Sequence, residues 1–278
     1  MKPDLQTPVR SFRLGFIGAG KLAGSVIRGL LRAKFCAPGE IIAGEPNDQL
    51  RGTLQTETGI TVTADNLEVA RSAETILICV KPAVVLPVVR EIAAALEGKL
   101  VMSLAAGVRL ESMEAVAPAR FMRVMTNTPS AICRGASAIA PGIRTTMQNL
   151  TDAEEIFTAV GIVVRIEEQH IDAVTALAGS GPAFVYTVIE ALAEGAQQRG
   201  LPGEAALRLA TQTVLGAAQL ASETGLSPED LRRMVVTPGG TTAAGLAAME
   251  KLNGSEAISA AVAAATERGR EMAKEFSA

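Results

Sequence analysis

Through the first half of the chain, apolar residues fall in short, nearly unbroken runs, each followed by a stretch with helical spacing. Leu14 to Ile17 is the first run; beyond a glycine-bearing turn, Leu22, Val26 and Leu30 recur at the three-to-four-residue spacing of one helix face. Glu40 to Ala43 reads as a second strand, with Ile41 to Ala43 its apolar part, and Thr61 to Thr63 as a short third. Asn66 to Arg71 then predicts a short helix with Asp65 as its N-cap. Thr75 to Val80 is apolar or β-branched almost throughout, as a parallel strand covered on both faces must be, and Pro82 suits the first turn of a helix over Ala83 to Leu96. Lys99 to Leu104 and Arg120 to Met125 repeat the strand pattern. Ala136 to Ala140 and Ile162 to Ile166, separated by a helix over Met147 to Val160, predict two further strands, for which an antiparallel sense is open.

Beyond Glu167 the pattern changes, because strand-like runs stop and alanine-rich helical spacing takes over. Helices are expected over Pro182 to Arg199, Gly203 to Glu223, Pro228 to Val235, Thr242 to Leu252 and Glu256 to Phe276. Pro182, Pro202, Ser227-Pro228 and Ser255 punctuate their starts, while Gly200 and Gly225 stop two of them. The expected organisation is an α/β domain over 11–168 and an all-helical domain over 169–278. Helices with Ala and Gly on several faces carry too little polar surface to stand alone in water, so intertwining with a second copy is the expected remedy.

Composition narrows the partners. A chain of 278 residues with 48% hydrophobic and 20% charged residues has the make-up of one or two folded domains. A net charge of -3 and only 3% aromatics give no footing for nucleic acid or an anionic membrane surface. Cys36, Cys79 and Cys133 have neither paired spacing nor a neighbouring histidine, so no metal site is expected and the thiols read as reduced, in a cytoplasmic protein. Met1 to Ser11 is polar with two prolines and reads as a loose leader rather than a secretion signal. The best candidates for a membrane span are broken by Glu190, Glu194 or Glu250.

Candidate chemistry gathers at the ends of the predicted strands. Gly18, Gly20 and Ala23 stand in a GxGxxA arrangement: Gly18 for a tight turn, Gly20 for close approach of backbone to a pyrophosphate, Ala23 for close helix packing. The helix that follows points free N–H groups at such an anion. Glu45 ends the second strand about 20 residues beyond the turn, where a carboxylate accepts hydrogen bonds from an adenosine ribose and repels an added phosphate. A solvated glutamate is the plainer alternative. Lys81 closes the strand Thr75 to Val80, at the end of the sheet where ligands bind, although a solvated lysine explains it equally. Ala105-Ala106-Gly107 and Thr126-Asn127-Thr128-Pro129, which end two further strands, offer small or amide residues as one rim of a cofactor crevice.

Two stretches of the second half are more particular than generic helix sequence: DAVTALAGSGPAF from Asp172 to Phe184, and VTPGGTT from Val236 to Thr242. With the glycine turn, Val80-Lys81-Pro82, Ala105-Ala106-Gly107 and Met125 to Pro129, they resemble pyrroline-5-carboxylate reductase in order, from about Phe12 to about Arg270. The resemblance implies a Rossmann-type, mostly parallel sheet carrying NADH or NADPH, followed by a helical domain that dimerises by interleaving, within a larger ring of dimers in many cases. It implies reduction of 1-pyrroline-5-carboxylate to L-proline, the last step of proline biosynthesis. Carried over by matching motif, Ile17, Gly18, Ala19, Gly20, Lys21, Leu22 and Ala23, with Cys79, Val80, Lys81 and Pro82, hold the dinucleotide. Glu45 joins them on the spacing argument, while Asn66, Leu104, Ala105, Ala106 and Asn127 line the site. Thr237, Gly239, Gly240, Thr241 and Thr242 form the loop that takes the substrate carboxylate, with Ser180 beside it and Thr242 as the catalytic hydroxyl nearest the ring nitrogen.

These residue types suit the task. Pro238-Gly239-Gly240 ahead of a helix supplies free N–H groups and the positive end of a dipole for a carboxylate. An imine nitrogen takes up a proton readily, so a hydroxyl relayed to water suffices and catalysis is mainly placement. A plain helix start capped by Thr241 is the bland alternative for the loop, and a packing role for Ser180 to Pro182. His170, the only histidine, reads as a solvated side chain at the domain junction.

Two departures from the family pattern stand out. Ala178 occupies a position where relatives often carry serine, and Gly44-Glu45-Pro46-Asn47 lacks the basic partner that accepts NADPH, so NADH is expected to serve at least as well. Arg51 remains within reach of a phosphate as an opposing feature. A β-hydroxyacid dehydrogenase is the nearest enzymatic alternative, but the lysine it needs has no candidate between Lys99 and Lys251. A silent dinucleotide-binding protein would have no need of an intact Thr237 to Thr242 loop.

Overall fold

The computed structural model describes residues 11–276; the polar leader lies outside them except for Ser11. Eight strands form one sheet: β1 (Phe12–Ile17), β2 (Ile41–Gly44), β3 (Thr61–Thr63), β4 (Ala73–Ile78), β5 (Leu100–Ser103), β6 (Arg120–Met125), β7 (Gly135–Pro141) and β8 (Gly161–Arg165). Their spatial order is β3-β2-β1-β4-β5-β6-β7-β8. The first six pair in parallel, β7 runs antiparallel to β6, and β8 is parallel to β7, so the last two both oppose the rest. This is the Rossmann-type arrangement, with the chain reversing its direction of travel between β1 and β4.

Helices cover both faces. Leu14, Phe16, Leu77 and Met102 pack on one side with α1 (Lys21–Arg32), α2 (Asp48–Thr58) and α6 (Met147–Thr158). Ile76, Ile78 and Val101 pack on the other with α3 (Asn66–Ser72), α4 (Pro82–Ile92) and α5 (Leu110–Glu114). Phe16, Phe121 and Phe157 are fully buried, and removal of each from water is worth about 2–3 kcal/mol. Strand-like composition without alternation follows from this double cover.

Several boundaries moved for physical reasons. β4 ends at Ile78, two residues earlier than its apolar run, because Cys79 and Val80 leave the sheet to meet Gly18. The helix expected over Ala83 to Leu96 tightens after Ile92 into a 3-10 turn, Ala93–Ala95. α2 lacks the apolar stripe that marks a helix in a sequence, since only Leu54 and Thr58 of it are buried; its signals are the Asn47 N-cap and the left-handed Gly59 C-cap.

The described residues fall into two compact units, one reaching to Ser180 and including the chain from Ala264 onward, the other Gly181–Ala263. In the first unit α7 (Ile171–Val174) runs into a π-helical turn, Thr175–Gly179. The second holds α8 (Gly181–Gln197), α9 (Gly203–Thr224), α10 (Pro228–Val235), α11 (Thr241–Lys251) and the start of α12 (Gly254–Phe276). Ala193, Ala206 and Ala210 make a small core between α8 and α9, with Ile189 and Ala196 against it. Tyr186, Leu192, Leu209, Leu215, Leu220 and Met234 remain exposed, more apolar surface than a helical unit keeps in water. Glu168–Gln197 is long and apolar enough to cross a membrane by length and composition, despite Glu190 and Glu194, yet only 11% of its apolar window is buried within the chain.

Candidate active site

β1 pairs with both β2 and β4, so the crevice at the reversal of strand order opens beyond their carboxyl ends. Gly18 makes the turn there with φ at +89°, and a Cβ on it would stand 2.8 Å from the backbone nitrogen of Val80. Only glycine fits, and the close contact ties the ends of β1 and β4 together; Cys79 N–H donates to Ile17 O at 2.7 Å and Gly18 N–H to Gly44 O at 2.9 Å. Gly20 is different: a Cβ there would meet no protein atom within 4 Å. Gly20 is also the N-cap of α1 and provides no side-chain acceptor. Open space over an uncapped helix start fits a pyrophosphate. Ala23 is fully buried in the core, as a packing role requires, although the closest approach of α1 is made by Gly29, whose Cβ would stand 2.1 Å from Ser130 O.

Glu45 is 9% exposed at the end of β2. One carboxylate oxygen accepts the N–H of Ala19 at 3.2 Å and the other that of Asn47 at 3.1 Å, so the acid leans onto the glycine turn. Arg51 is turned the other way: its guanidinium donates to the carbonyls of Glu45 and Pro46, at 2.7 and 3.0 Å, and pairs with Asp48. Asn66, at the start of α3, lies over Gly44, where a Cβ would meet its Oδ1 at 2.8 Å. Lys81 is the exposed N-cap of α4 with Pro82 in the first turn, and burial pushes the Cys79 thiol well above its ordinary range. Leu104 and Ala105 are buried, Leu104 N–H donating to Ile78 O at 2.9 Å. Ile17, Lys21 and Leu22 complete the turn.

Asn127 follows the carboxyl end of β6, the strand beside β5. Its Nδ2 donates to Ala178 O and its Oδ1 accepts from Ala136 N–H, both at 3.1 Å, with the side chain buried. Thr126 beside it shares hydrogen bonds with Ser130 and Ser137, at 3.0 and 2.8 Å.

In the second unit, Gly240 N–H donates to Thr237 O at 3.0 Å across Pro238 and Gly239, with Gly239 at φ +71° as the third turn residue. Gly240, not Thr241, is the N-cap of α11, and no side chain caps the helix. A Cβ on Gly240 would stand 2.2 Å from the Thr237 hydroxyl oxygen. Among the described residues the first N–H groups of α11 therefore meet no side-chain acceptor at the cap.

Sequence reasoning missed Arg123. Its side chain is 3% exposed, 3.2 Å from Glu168 and 3.8 Å from Asp172, and Glu168 also accepts Leu110 N–H at 2.8 Å. Burial pulls the guanidinium below its usual pKa while Glu168 and Asp172 work against that shift. The cluster was illegible because its members lie on separate elements. His170 is exposed, and among the described residues no group of three or more His, Cys, Asp or Glu side chains could hold a metal ion.

Residues 168–272 match the family model described as pyrroline-5-carboxylate reductase dimerisation, and residues 13–107 the model described as NADP oxidoreductase, coenzyme F420-dependent. A pyrroline-5-carboxylate reductase from Methanosarcina acetivorans is 41% identical over 265 residues, covering 94% of this chain and 98% of the relative. Among solved structures, a pyrroline carboxylate reductase from Plasmodium falciparum with NADP bound superposes with a TM-score of 0.87 at 27% identity, covering 95% of this chain and 99% of that one. A pyrroline-5-carboxylate reductase from Coxiella burnetii does so with 0.85 at 34% identity, again over 95% and 99%.

Proposed function

The chain belongs to the pyrroline-5-carboxylate reductase family, and on that premise we propose how its residues divide the work. It is an NAD(P)H-dependent oxidoreductase that reduces 1-pyrroline-5-carboxylate to L-proline. The observation that carries the division of work is a pair of helix starts, α1 and α11, each with glycine as N-cap and no side-chain cap. Each is an anion site in the making.

Gly18 and Ala19, whose N–H groups are held by Gly44 O and Glu45, shape the turn, and Gly20 to Ala23 take the diphosphate through the free backbone N–H groups at the start of α1; Cys79 to Pro82, Asn66 and Leu104 to Ala106 border the nucleotide. When bound, the reduced nicotinamide supplies the hydride. Thr237, Gly239, Gly240 and Thr241 grip the substrate carboxylate, Ser180 adds a hydroxyl, and Thr242 orients the proton that the ring nitrogen takes up. No residue has to act as a strong base, because the protonated imine is itself the acceptor, and the rate comes from placement.

NADH serves at least as well as NADPH in this reading. Glu45 sets a carboxylate where the extra phosphate of NADPH would lie, and Arg51, the nearby cation, is held by two carbonyls and Asp48. The helical unit self-associates, in keeping with the dimerisation model it matches. We extend this to a dimer interleaved through its exposed apolar helices, a ring of dimers as the larger assembly, and a cytoplasmic location, where Cys36, Cys79 and Cys133 stay as free thiols.

The test is oxidation of NADH, then NADPH, by the purified protein with 1-pyrroline-5-carboxylate, with light scattering on the same sample. Absence of turnover with either cofactor would overturn the assignment of roles; a monomer would overturn the assembly.

A further inference from the structure

A helix that starts at Ile171 changes its hydrogen-bond step before it reaches α8. Ser180 N–H donates to Thr175 O at 2.9 Å, five residues back, where an α-helix would reach four. Such a π-turn has weaker geometry and persists where neighbours hold it, frequently at functional sites. The neighbours here are the end of β6 and the residues after it. A methyl group on Gly179 would lie 3.2 Å from Met125 Sδ, and Asn127 Nδ2 donates to the carbonyl of Ala178 at 3.1 Å. The amide cannot turn over, because its oxygen is claimed by Ala136 N–H at 3.1 Å.

The amide thus has a fixed orientation, and one of its two N–H donors is committed to the π-turn. The side chains of Thr175 and Thr187, on either side, bond back to their own helix at 2.8 and 3.2 Å, but the Ser180 hydroxyl makes no such bond among the described residues. Ser180 is only half-buried, so its hydroxyl is free for a ligand.

We propose that Asn127 is a positioning residue for the reduction: by holding the Ala178 carbonyl it fixes the π-turn, and the π-turn fixes the Ser180 hydroxyl for the substrate. This rests on the reading of Ser180 as a substrate contact given above. It gives Asn127 a task on the helix that carries a substrate group, while the second N–H of its amide is left over. It also makes sense of Ala178, since the contact at that position is made by backbone and needs no serine hydroxyl.

Asn127→Asp separates the two bonds of the side chain. A carboxylate keeps an acceptor for Ala136 N–H and turns an oxygen, with no proton to give, toward Ala178 O. The expected result is a fall in kcat of about tenfold or more with 1-pyrroline-5-carboxylate, a larger primary isotope effect with 4-deuterated NADH, and a dissociation constant for NADH within about twofold of the parent. In a Ser180→Ala background the same change should add less than about twofold, because the group it positions is gone. NADH affinity falling in step with kcat, or an undiminished loss in the Ser180→Ala background, would overturn the proposal. If Asn127→Asp does not fold, Asn127→Ser, which keeps a small hydroxyl near Ala136, is read by the same two criteria. A parent protein that binds NADH but reduces no 1-pyrroline-5-carboxylate would instead overturn the functional reading, a result distinct from either comparison among variants.

Discussion

The carboxylate of Glu45 accepts the N–H of Ala19 at 3.2 Å, which sets a negative charge against the glycine turn proposed to receive a diphosphate. A further phosphate on the ribose would face that charge, and repulsion between such groups a few ångströms apart near a protein surface is worth more than 1 kcal/mol. Parent enzyme should therefore use NADH at least as well as NADPH at equal concentration. Glu45→Gln keeps an oxygen for Ala19 and removes the charge, so the ratio of kcat/KM for NADPH over NADH should rise about tenfold. A tenfold or greater NADPH preference in the parent, or an unmoved ratio in the variant, counts against this account.

Gly18 and Gly20 make a second test, because the same substitution should fail for different reasons. A Cβ at Gly18 meets Val80 at 2.8 Å and φ is +89°, so Gly18→Val should lower the melting temperature. At Gly20 the space is empty and φ is -68°, which valine adopts freely, so Gly20→Val should fold with near-parental stability and lose NADH binding in a fluorescence titration. Retained affinity would move the diphosphate away from this turn.

For Thr242 the expected loss is confined to substrate chemistry. It lies in the first turn of α11, and Thr242→Ala should reduce turnover by roughly tenfold to a hundredfold, the value of one oriented hydrogen bond in the transition state, and leave NADH affinity nearly unchanged. Loss of cofactor binding in that variant would contradict the role.

Cys36 gives the protein a stability limit at alkaline pH. Burial, then Glu40, push its thiol up to about 11 from 9.0, with Arg13 opposing. A raised pKa means that the folded state holds the proton more tightly than the unfolded chain. The thiol's contribution is therefore complete below pH 9 and is lost as pH rises from 9 toward 11, by up to about 1.4 kcal/mol per pH unit. Cys79, half-buried, acts in the same direction. Melting temperatures over that range should fall less steeply for Cys36→Ala than for the parent, and parallel curves would remove Cys36 as a cause.

How far the sequence reached can be judged at particular residues. The strands were legible because a doubly covered sheet needs unbroken apolar runs, and the glycine turn because its spacing is local. The Thr237 to Thr242 turn was legible as Pro-Gly-Gly before a helix, although its N-cap is Gly240 and not a threonine. What stayed hidden depends on contacts between distant segments: Arg123 with Glu168 and Asp172, Asn127 with Ala178, and the seat of Arg51 on the carbonyls of Glu45 and Pro46. Periodicity carries no information about such pairs. The π-turn at Thr175–Gly179 was hidden for a related reason, since its residues have ordinary helical spacing and only the hydrogen bonds differ.

Two glycines of α1 put the balance between helix propensity and close packing to a direct test. Replacing glycine by alanine in a helix interior gains about 1 kcal/mol if nothing else changes. At Gly24 the new methyl would meet only the end of the Arg28 side chain, at 3.2 Å, which can swing aside, so Gly24→Ala should raise stability by up to that amount. At Gly29 it would stand 2.1 Å from the carbonyl oxygen of Ser130, in the backbone that follows Thr126 and Asn127. Backbone must then move, at a cost of about 1–3 kcal/mol that outweighs the gain in propensity. Gly29→Ala should accordingly be less stable than the parent in urea denaturation while Gly24→Ala is at least as stable. A stabilising Gly29→Ala would mean that α1 does not sit as close to Thr128–Ile132 as this structure has it.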